Sequence, residues 1–371
     1  MRIGILGSGQ LGMMLALAGA KLGHTFTFYD ASTSTCTSAL GPHTVAPFDD
    51  RKALTRFAER CDVITYEFEN VPCDTAHFLE SLKPVFPPAR ALEVSQDRVV
   101  EKEFLKSLGI ATPRFVAVST ETELSAACNT LGYPCIVKTR RLGYDGKGQY
   151  RISAPSDIAP AWATLGGTPL IVEGFVPFTR ELSVIATRDT HGAIALYPLS
   201  YNVHENGILH RSEIPAPAVS ADVLHSAYQA VTKVLEALSY VGTLTIELFE
   251  VRGEILANEI APRVHNSGHA TIESVTSSQF ENHIRSISGT TVMPVEIITR
   301  AVMYNVVGTH PSLDVLKQLP DCHIHLYNKA PRAGRKLGHI TLLNPTSEHD
   351  ALVAELCSRC KEATSSTSEK A

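Results

Sequence analysis

Short apolar runs alternate with helix-like segments over the N-terminal quarter of the chain. Three of these runs have the composition of buried strands: residues 3–6, 25–29 and 62–68. Strands that alternate with helices usually form a parallel sheet with helices on both faces. We therefore predict a doubly wound α/β domain over residues 1–97, ending after a proline-rich break that begins at Pro84.

Beyond residue 97 the pattern changes, because few of the strand-like runs alternate with helices. Six such runs are residues 136–138, 170–173, 182–187, 193–198, 244–249 and 255–260. With one long helical pattern at 221–238, they indicate an α+β region with antiparallel pairing. Three further strand-like runs are residues 301–307, 323–327 and 339–343. Residues 362–371 are rich in Ser, Thr, Glu and Lys and are predicted to be a disordered tail.

The charge, the length of the apolar runs and the cysteines argue against a nucleic-acid-binding or membrane-spanning protein. The formal net charge of −5 is spread along 371 residues without blocks of like charge, which argues against a nucleic-acid surface and favours a local pocket for a small anion. No apolar run approaches the ~20 residues that span a bilayer, and no signal peptide is expected. Eight scattered cysteines predict free thiols in the cytoplasm. Cys357 and Cys360 form an isolated CxxC, for which we predict no metal or redox role.

A glycine-rich turn, GSGQLG at residues 7–12, directly follows the first predicted strand and opens a helix. Backbone N–H groups at such a helix N-terminus can hold an anion. Asp30 follows the second strand, where the acidic residue of a dinucleotide site takes a ribose hydroxyl. These residues alone leave three alternatives open: a nicotinamide-dependent dehydrogenase, another anion site and a purely structural turn.

A second candidate phosphate site combines a strand-end lysine with a glycine loop. Lys138 ends one predicted strand, and GYDGKGQ follows at residues 143–149. Loop amides can approach a phosphate closely where no Cβ intervenes, and the lysine can neutralise its charge. The spacing is not that of a Walker A loop. We interpret the segment as phosphate-binding rather than as a plain hairpin turn.

Two glutamates lie in neighbouring strand-like runs joined by a turn at Arg252 and Gly253. A three-residue loop centred on Gly253 would pair Glu247 directly with Glu259 on one face, whereas a two-residue loop would separate their faces. Carboxylates this close repel each other unless a cation neutralises them. The predicted partner is Mg²⁺ bridging nucleotide phosphates, and the alternative is a solvated pair on an exposed face.

Cationic and amide groups follow this pair. The run RVHNSGH at residues 263–269 offers a guanidinium, imidazoles and amide donors that suit a small oxyanion under attack. Four basic residues follow the strand-like run at 323–327: Lys329, Arg332, Arg335 and Lys336. Because guanidinium groups match phosphate oxygens in pairs, this cluster is either a phosphate site or an exposed basic loop.

Taken in order, these motifs resemble the ATP-grasp family over nearly the whole chain except its C-terminal tail. The resemblance rests on GSGQLG, YEFEN at 66–70, GYDGKGQ, Asn258-Glu259, APRVHNSGH at 261–269 and GRKLGH at 334–339. It implies three parts: the doubly wound domain over residues 1–97, an ATP-grasp domain of two α+β halves over 98–295, and a small C-terminal domain over 296–361.

The resemblance also implies a reaction in which ATP, bicarbonate and 5-aminoimidazole ribonucleotide give an N5-carboxylated product, ADP and phosphate through carboxyphosphate. The residues it implies for ATP are Arg98, Lys138, Gly143, Tyr144, Asp145, Gly146, Lys147, Gly148, Gln149, Glu173, Gly174, Phe175, Val176, Glu181, His204, Asn258 and Glu259. Those it implies at the reacting centre are Arg263, His265, Asn266, Tyr144 and Asp145. Those it implies for the ribonucleotide are Gln10, Leu11, Glu67, Ser267, Lys329, Arg335 and Lys336. Glu247 and Glu259 would hold Mg²⁺.

Relatives in the family further suggest a homodimer. A carboxymutase is a candidate transient partner that would take on the labile product. A formate-dependent glycinamide ribonucleotide transformylase is the rival enzyme, and the discrimination rests on APRVHNSGH and Tyr144-Asp145. A non-catalytic nucleotide-binding subunit would be expected to lack the metal carboxylates, and both are present. The dehydrogenase interpretation leaves the glutamate pair, the second glycine loop and the basic cluster unexplained.

Overall fold

The computed structural model describes residues 1–143 and 146–368, which form three β-sheets with helices packed against them. Two predicted site residues, Tyr144 and Asp145, lie outside this described part of the chain. Within it, no helix is both long enough and apolar enough to cross a membrane. All eight cysteines are free thiols, as predicted.

The N-terminal residues form the predicted doubly wound layer. Its elements are β1 (Arg2–Leu6), α1 (Gln10–Lys21), β2 (Thr25–Asp30), β3 (His43–Val45), α2 (Arg51–Ala58), β4 (Val63–Tyr66), α3 (Cys73–Glu80) and α4 (Ala89–Ser95). The strands run parallel in the order β3-β2-β1-β4. Ile3 and Ile5 of β1 pack in one core cluster with α1, whereas Leu6 packs in a second cluster with α2. Strand β1 is therefore central and covered on both faces.

The next segment forms a smaller α+β layer. Its elements are α5 (Arg98–Ser107), β5 (Phe115–Val118), α6 (Glu121–Leu131), β6 (Cys135–Thr139), β7 (Gln149–Ile152), α7 (Ile158–Leu165) and β8 (Leu170–Gly174). The four strands are antiparallel in the order β5-β8-β6-β7. Leu124 and Ala161 of the helices pack against one face of the sheet, so the other face is available to the cleft.

The remaining strands form one nine-stranded sheet. The elements are β9 (Arg180–Arg188), β10 (Ile194–Leu196), β11 (Ser200–Glu205), β12 (Ile208–Ile214), α8 (Ala221–Ala237), β13 (Gly242–Val251), β14 (Glu254–Ala261), α9 (Thr271–Ser274), α10 (Gln279–Ile287), β15 (Ala301–Gly308), α11 (Leu313–Leu316), β16 (Cys322–Leu326), β17 (Arg332–Leu343) and α12 (Ser347–Ser368). The order is β14-β13-β9-β11-β12-β15-β17-β16, with β10 on β9. Because β12 pairs with β15, the C-terminal strands continue this sheet. The predicted boundaries at residues 97 and 295 fall between elements and stay predictions.

The C-terminal helix extends further than the hydrophobic pattern predicts. Helix α12 includes residues 362–368, for which we predicted disorder, and residues 369–371 lie outside the described part. Its earlier turns bury Val353 and Cys357 against the sheet. Because a helix that has already formed gains one backbone hydrogen bond with each further residue, it can extend beyond its buried turns. Burial raises the pKa of Cys357 to about 12, which keeps this thiol of the CxxC protonated near neutral pH.

Candidate active site

A cleft of about 1150 Å³ opens between the three sheets and receives residues from each of them. The predicted site residues of the described part line this cleft, with two exceptions, Gly148 and Ser267. Residues that are far apart in sequence, such as Gln10, Lys138 and Lys329, therefore face one space.

The two predicted metal carboxylates pair across β13 and β14. Glu247 lies directly opposite Glu259, which confirms the predicted pairing. The predicted three-residue loop is wrong, because the strands join through a two-residue turn, Arg252-Gly253, in which both residues have positive φ. Such a turn alone would separate the faces of the glutamates. A β-bulge at Asn258 shifts the register by one residue and returns both carboxylates to one face.

The charge states of this pair fit a cation. Burial raises the pKa of Glu259, and the charge of Glu247 raises it further. Burial also opposes ionisation of Glu247, but the hydrogen bond and charge of His265, whose Nε2 lies 3.2 Å from Oε1, bring its pKa to about 2. Nearby, Oδ1 of Asn258 is buried without a hydrogen-bond partner among the described residues. Carboxylate and amide oxygens are the ligands that Mg²⁺ takes, so these residues fit the ion.

The described residues offer Mg²⁺ few ligands of their own. Among residues 1–143 and 146–368, no group of three His, Cys, Asp or Glu side chains is placed to hold a metal. Mg²⁺ prefers six oxygen ligands and commonly takes several from nucleotide phosphates and water. The paired glutamates therefore suit a metal that arrives with a nucleotide.

His265 is held in one orientation beside Glu247. Its Nδ1 lies 3.3 Å from the backbone nitrogen of Ser267 and 2.8 Å from the Ser267 hydroxyl. Because the Ser267 N–H donates to Nδ1, the proton of a neutral ring belongs on Nε2, facing Glu247. Ser267 was expected to bind substrate, but it does not line the cleft. Its hydroxyl lies against the imidazole, a contact that sequence could not indicate, and its role in substrate binding stays a prediction.

Arg263 and Asn266 are both fixed by residues from other parts of the chain. The Nε of Arg263 is ion-paired with Glu69, and although burial opposes ionisation, the charge and the hydrogen bond of Arg263 and weaker nearby groups together bring the pKa of Glu69 to about 2. The amide of Asn266 exchanges two hydrogen bonds with Asn305 of β15, at 3.0 and 2.7 Å. The guanidinium and the amide are therefore preorganised at the cleft wall before any anion binds.

The nucleotide side of the cleft contains a buried cluster of two lysines around one glutamate. Nζ of Lys138, on β6, lies 2.9 Å from Glu173 on β8, and Nζ of Lys102, on α5, lies 3.2 Å from its other oxygen. Burial opposes ionisation of Glu173, but the charges of Lys138 and Lys102 bring its pKa to about 2. The Glu173 carboxylate is thus already engaged by two lysines.

Arg98 braces the described part of the glycine loop. Its Nη1 donates to the carbonyl of Thr139 at 3.1 Å and its Nη2 to the carbonyl of Gly143 at 3.0 Å. Gly148 does not line the cleft, and its carbonyl accepts a hydrogen bond from the Thr139 N–H at 2.8 Å. Gly146 has a φ of 75°, and a Cβ there would approach the Asn206 carbonyl oxygen to 2.9 Å. Gly146 is therefore closely packed on the β11–β12 turn.

His204 and Glu181 form an ion pair beside the predicted ribose position. Burial lowers the pKa of His204, but the hydrogen bond to Glu181 and the charges of Glu247 and Glu181 together outweigh it and raise the pKa overall. The pair then stabilises the fold fully below the pKa of histidine in the unfolded chain, about 6.5, and this stability is lost as the pH rises through the pKa in the folded protein.

We expect His204→Gln to lower the Tm more at about pH 5.5 than at about pH 9, measured by differential scanning fluorimetry. Equal shifts at both pH values would contradict this expectation.

The glycine-rich turn binds an anion, and that anion is the protein's own Glu67. Backbone N–H groups of Gly9 and Gly12 donate to its two carboxylate oxygens, the latter at 2.6 Å. A Cβ on Gly7, which has a φ of 106°, would lie 2.4 Å from Cγ of Glu67. Asp30 accepts a hydrogen bond from the Ser8 hydroxyl at 2.7 Å. Because a carboxylate fills the turn, a dinucleotide pyrophosphate does not fit, and the dehydrogenase interpretation fails.

The basic residues at the far end of the cleft belong mainly to a strand. Arg335 and Lys336 lie in β17, which pairs with β15, and Lys329 precedes it and donates to Oε1 of Gln10. Burial lowers the pKa of Lys329. Three small side chains that sequence analysis missed also line this end: Ser34, Thr35 and Cys36. They lie in a polar loop, where hydroxyl groups show no pattern that distinguishes binding from solvation.

The three sheets and the cleft between them define an ATP-grasp ligase. The family models that match are an ATP-grasp domain over residues 103–280, a ribonucleotide synthetase preATP-grasp domain over residues 1–96 and a phosphoribosylaminoimidazole carboxylase C-terminal domain over residues 301–351. Together they follow the three parts that the sequence resemblance implies.

Individual relatives narrow this class to one family. The N5-carboxyaminoimidazole ribonucleotide synthase of Pseudomonas aeruginosa is 46% identical over 342 residues, which cover 92% of this chain and 94% of that protein. The crystal structure of the synthetase from Thermus thermophilus has a TM-score of 0.90 and 45% identity, covering 95% and 97% of the two chains. The Aspergillus clavatus synthase in complex with ADP and 5-aminoimidazole ribonucleotide has a TM-score of 0.89 and 30% identity, covering 96% and 98%. The chain belongs to the N5-carboxyaminoimidazole ribonucleotide synthase family.

Proposed function

We propose that this chain carboxylates 5-aminoimidazole ribonucleotide with bicarbonate and ATP, giving N5-carboxyaminoimidazole ribonucleotide, ADP and phosphate in purine (IMP) biosynthesis. One observation carries the proposal: three groups of residues line the same cleft. They are Lys138 with Glu247 and Glu259, Arg263 with His265, and the basic residues Lys329, Arg335 and Lys336. The Aspergillus clavatus relative, with ADP and 5-aminoimidazole ribonucleotide in its crystal, supports the same substrates.

The first step activates bicarbonate, which is a poor electrophile. A bicarbonate oxygen forms a bond to the γ-phosphorus of ATP while the bond to the β-phosphate oxygen breaks, leaving carboxyphosphate and ADP. Lys138 and Lys147 would neutralise charge on the transferring oxygens. Mg²⁺, held by Glu247 and Glu259, supplies further charge stabilisation when it is bound.

In the second step the amine of the ribonucleotide forms the C–N bond, loses a proton, and inorganic phosphate leaves. Arg263 and His265 would hold the bicarbonate-derived oxygens, since Glu69 and Ser267 already fix their orientation. The ribonucleotide itself would be held by Gln10, Leu11, Glu67, Lys329, Arg335 and Lys336. Carboxyphosphate hydrolyses in water, so the loop that includes Tyr144 and Asp145 is proposed to close before the amine reacts.

The proposal is tested by measuring ADP release with Mg·ATP and bicarbonate, in the presence and absence of 5-aminoimidazole ribonucleotide. Glycinamide ribonucleotide with formate is the control substrate pair. We expect strong stimulation by the imidazole alone. Stimulation by the control pair alone would assign the chain to the formate-dependent transformylase, and no turnover with either would contradict a ligase.

Arg335→Ala is expected to raise the KM for the ribonucleotide about 10–100-fold, because a hydrogen bond to a charged group contributes about 1.5–3 kcal/mol. The kcat should change much less, since the phosphate is bound equally in the ground and transition states. Arg359→Ala removes an exposed arginine of α12 and is the matched control. A KM for ATP that rises in parallel would show that the assignment of Arg335 to the ribonucleotide is wrong.

Three further predictions concern the oligomeric state, the protein partner and the cellular location of the enzyme. We propose that the chain forms a homodimer, that a carboxymutase docks transiently to take the labile product, and that the enzyme works in the cytoplasm. Sedimentation of the purified chain with and without a carboxymutase tests the first two proposals.

A further inference from the structure

Strand β14, which presents Glu259, is an edge strand of the nine-stranded sheet. The outer backbone groups of an edge strand have no strand partner and need hydrogen bonds from elsewhere when they are buried. The bulge at Asn258 adds an irregularity to this edge, directly before the glutamate. A bulged edge strand does not by itself hold a side chain in a fixed register, so something else must fix Glu259.

Two neighbouring residues of α5 provide the missing partners. Oε1 of Glu101 accepts a hydrogen bond from the Ile260 N–H at 2.6 Å, and Nζ of Lys102 donates to the Asn258 carbonyl at 3.0 Å. These contacts are made immediately before and after Glu259. Glu101 and Lys102 are only 2% and 1% exposed; Glu101 lies in the wall of the cleft and Lys102 lies behind it.

Lys102 also connects the two sides of the nucleotide site. Its Nζ lies 3.2 Å from Glu173, whose other oxygen lies 2.9 Å from Lys138. The cleft is lined by Lys138 and Glu173, whereas Lys102 lies behind them. A single helix thus contacts both the strand that carries the metal carboxylate and the ion pair that holds the cleft lysine.

We propose that Glu101 and Lys102 are positioning residues that fix Glu259 and Lys138 for the metal-bound nucleotide. This inference rests on the proposed function of the cleft as a Mg·ATP site. In this role Glu101 acts through its acceptor oxygen on the Ile260 N–H, and Lys102 acts through its donor on the Asn258 carbonyl and through its charge on Glu173.

The test is the equilibrium binding of Mg·ADP, and of ADP in EDTA, measured by calorimetry on the full chain. Glu101→Leu and Lys102→Met are expected to weaken Mg·ADP binding about 10–100-fold, the loss typical when partners of metal ligands are removed. ADP in EDTA should lose less with Glu101→Leu, because Glu259 acts through the metal. The KM for ATP should rise while the KM for the ribonucleotide stays unchanged.

Conservative and control variants separate positioning from general structural damage. Glu101→Gln keeps an acceptor for the Ile260 N–H and should bind Mg·ADP within about 3-fold of the wild type. Glu103→Leu and Lys106→Met make matched changes at exposed positions of the same helix and should have no effect. If Lys102→Met does not fold, the comparison of Glu101→Leu with Glu101→Gln decides the question alone.

Two results would overturn the inference: Mg·ADP binding by both Glu101→Leu and Lys102→Met that equals the wild type, or a Glu101→Gln variant as defective as Glu101→Leu. Failure of the proposed function has a different signature. In that case the wild-type chain itself would neither bind Mg·ADP nor release ADP with the imidazole substrate.

Discussion

Glu259→Gln is expected to lower kcat about 10²–10³-fold, a loss typical for removal of one group that stabilises transition-state charge. Glu259 is paired with Glu247 on one face, and the described residues offer its carboxylate no hydrogen bond or ion pair. A carboxylate in the cleft with no such partner among residues 1–143 and 146–368 is suited to hold a cation. The amide of glutamine keeps the shape of the side chain but cannot neutralise Mg²⁺.

Although Glu259→Gln should lower kcat, it should not lower the thermal stability of the protein without nucleotide. Because burial and the charge of Glu247 both raise the pKa of Glu259, ionising it destabilises the empty cleft. We expect the Tm of Glu259→Gln without nucleotide to equal or exceed that of the wild type, while the increase in Tm given by Mg·ADP disappears. Glu254→Gln, at an exposed position of the same strand, is the control. Near-normal turnover at saturating Mg²⁺ would show that the metal assignment is wrong.

Arg263→Met is expected to abolish measurable carboxylation and to destabilise the fold by about 2 kcal/mol. Removing one partner of a fully buried pair costs about 3–5 kcal/mol, and the value here is smaller because the Arg263 and Glu69 side chains keep 17% and 27% exposure. The loss of activity has a separate cause, which is the loss of the guanidinium that would hold the bicarbonate oxygens.

A double variant separates these two effects. Arg263→Met combined with Glu69→Met leaves no unpaired charge, so the free energy of unfolding should recover most of the loss, while carboxylation stays absent. Denaturant titration and ADP release measure the two quantities on the same samples. Arg359→Met breaks an exposed pair with Glu355 and should cost at most about 1 kcal/mol without loss of activity. Activity in the double variant would contradict the role of Arg263.

The hydrophobic pattern predicts β1, β2 and β4 of the N-terminal layer because these parallel strands are buried along most of their length. The short edge strand β3 was not predicted, since none of its residues is buried. Strands β11 and β12 were not predicted, since they bury polar side chains. Asn202 donates to the Ser183 hydroxyl and accepts from the Ser212 hydroxyl, each at 2.7 Å. Such a network satisfies buried polar groups through contacts between strands that no local pattern reveals.

The candidate site shows the same limit at the level of single residues. The sequence predicts an anion at the glycine-rich turn, but the partner is Glu67, which lies 55 residues after Gly12. The pairing of Glu247 with Glu259 is predicted correctly from a loop length that is wrong, because the bulge at Asn258 compensates for the shorter turn. Residue types and spacing therefore indicate the chemistry, whereas the contacts that orient each group depend on the folded chain.

The central claim, that a bicarbonate oxygen captures the γ-phosphoryl group in this cleft, is tested most directly with ¹⁸O-labelled bicarbonate. The phosphate released during a single turnover with 5-aminoimidazole ribonucleotide would be analysed by mass spectrometry. The account predicts one ¹⁸O atom in each phosphate formed with product. Unlabelled phosphate, formed while the ribonucleotide is carboxylated, would contradict it.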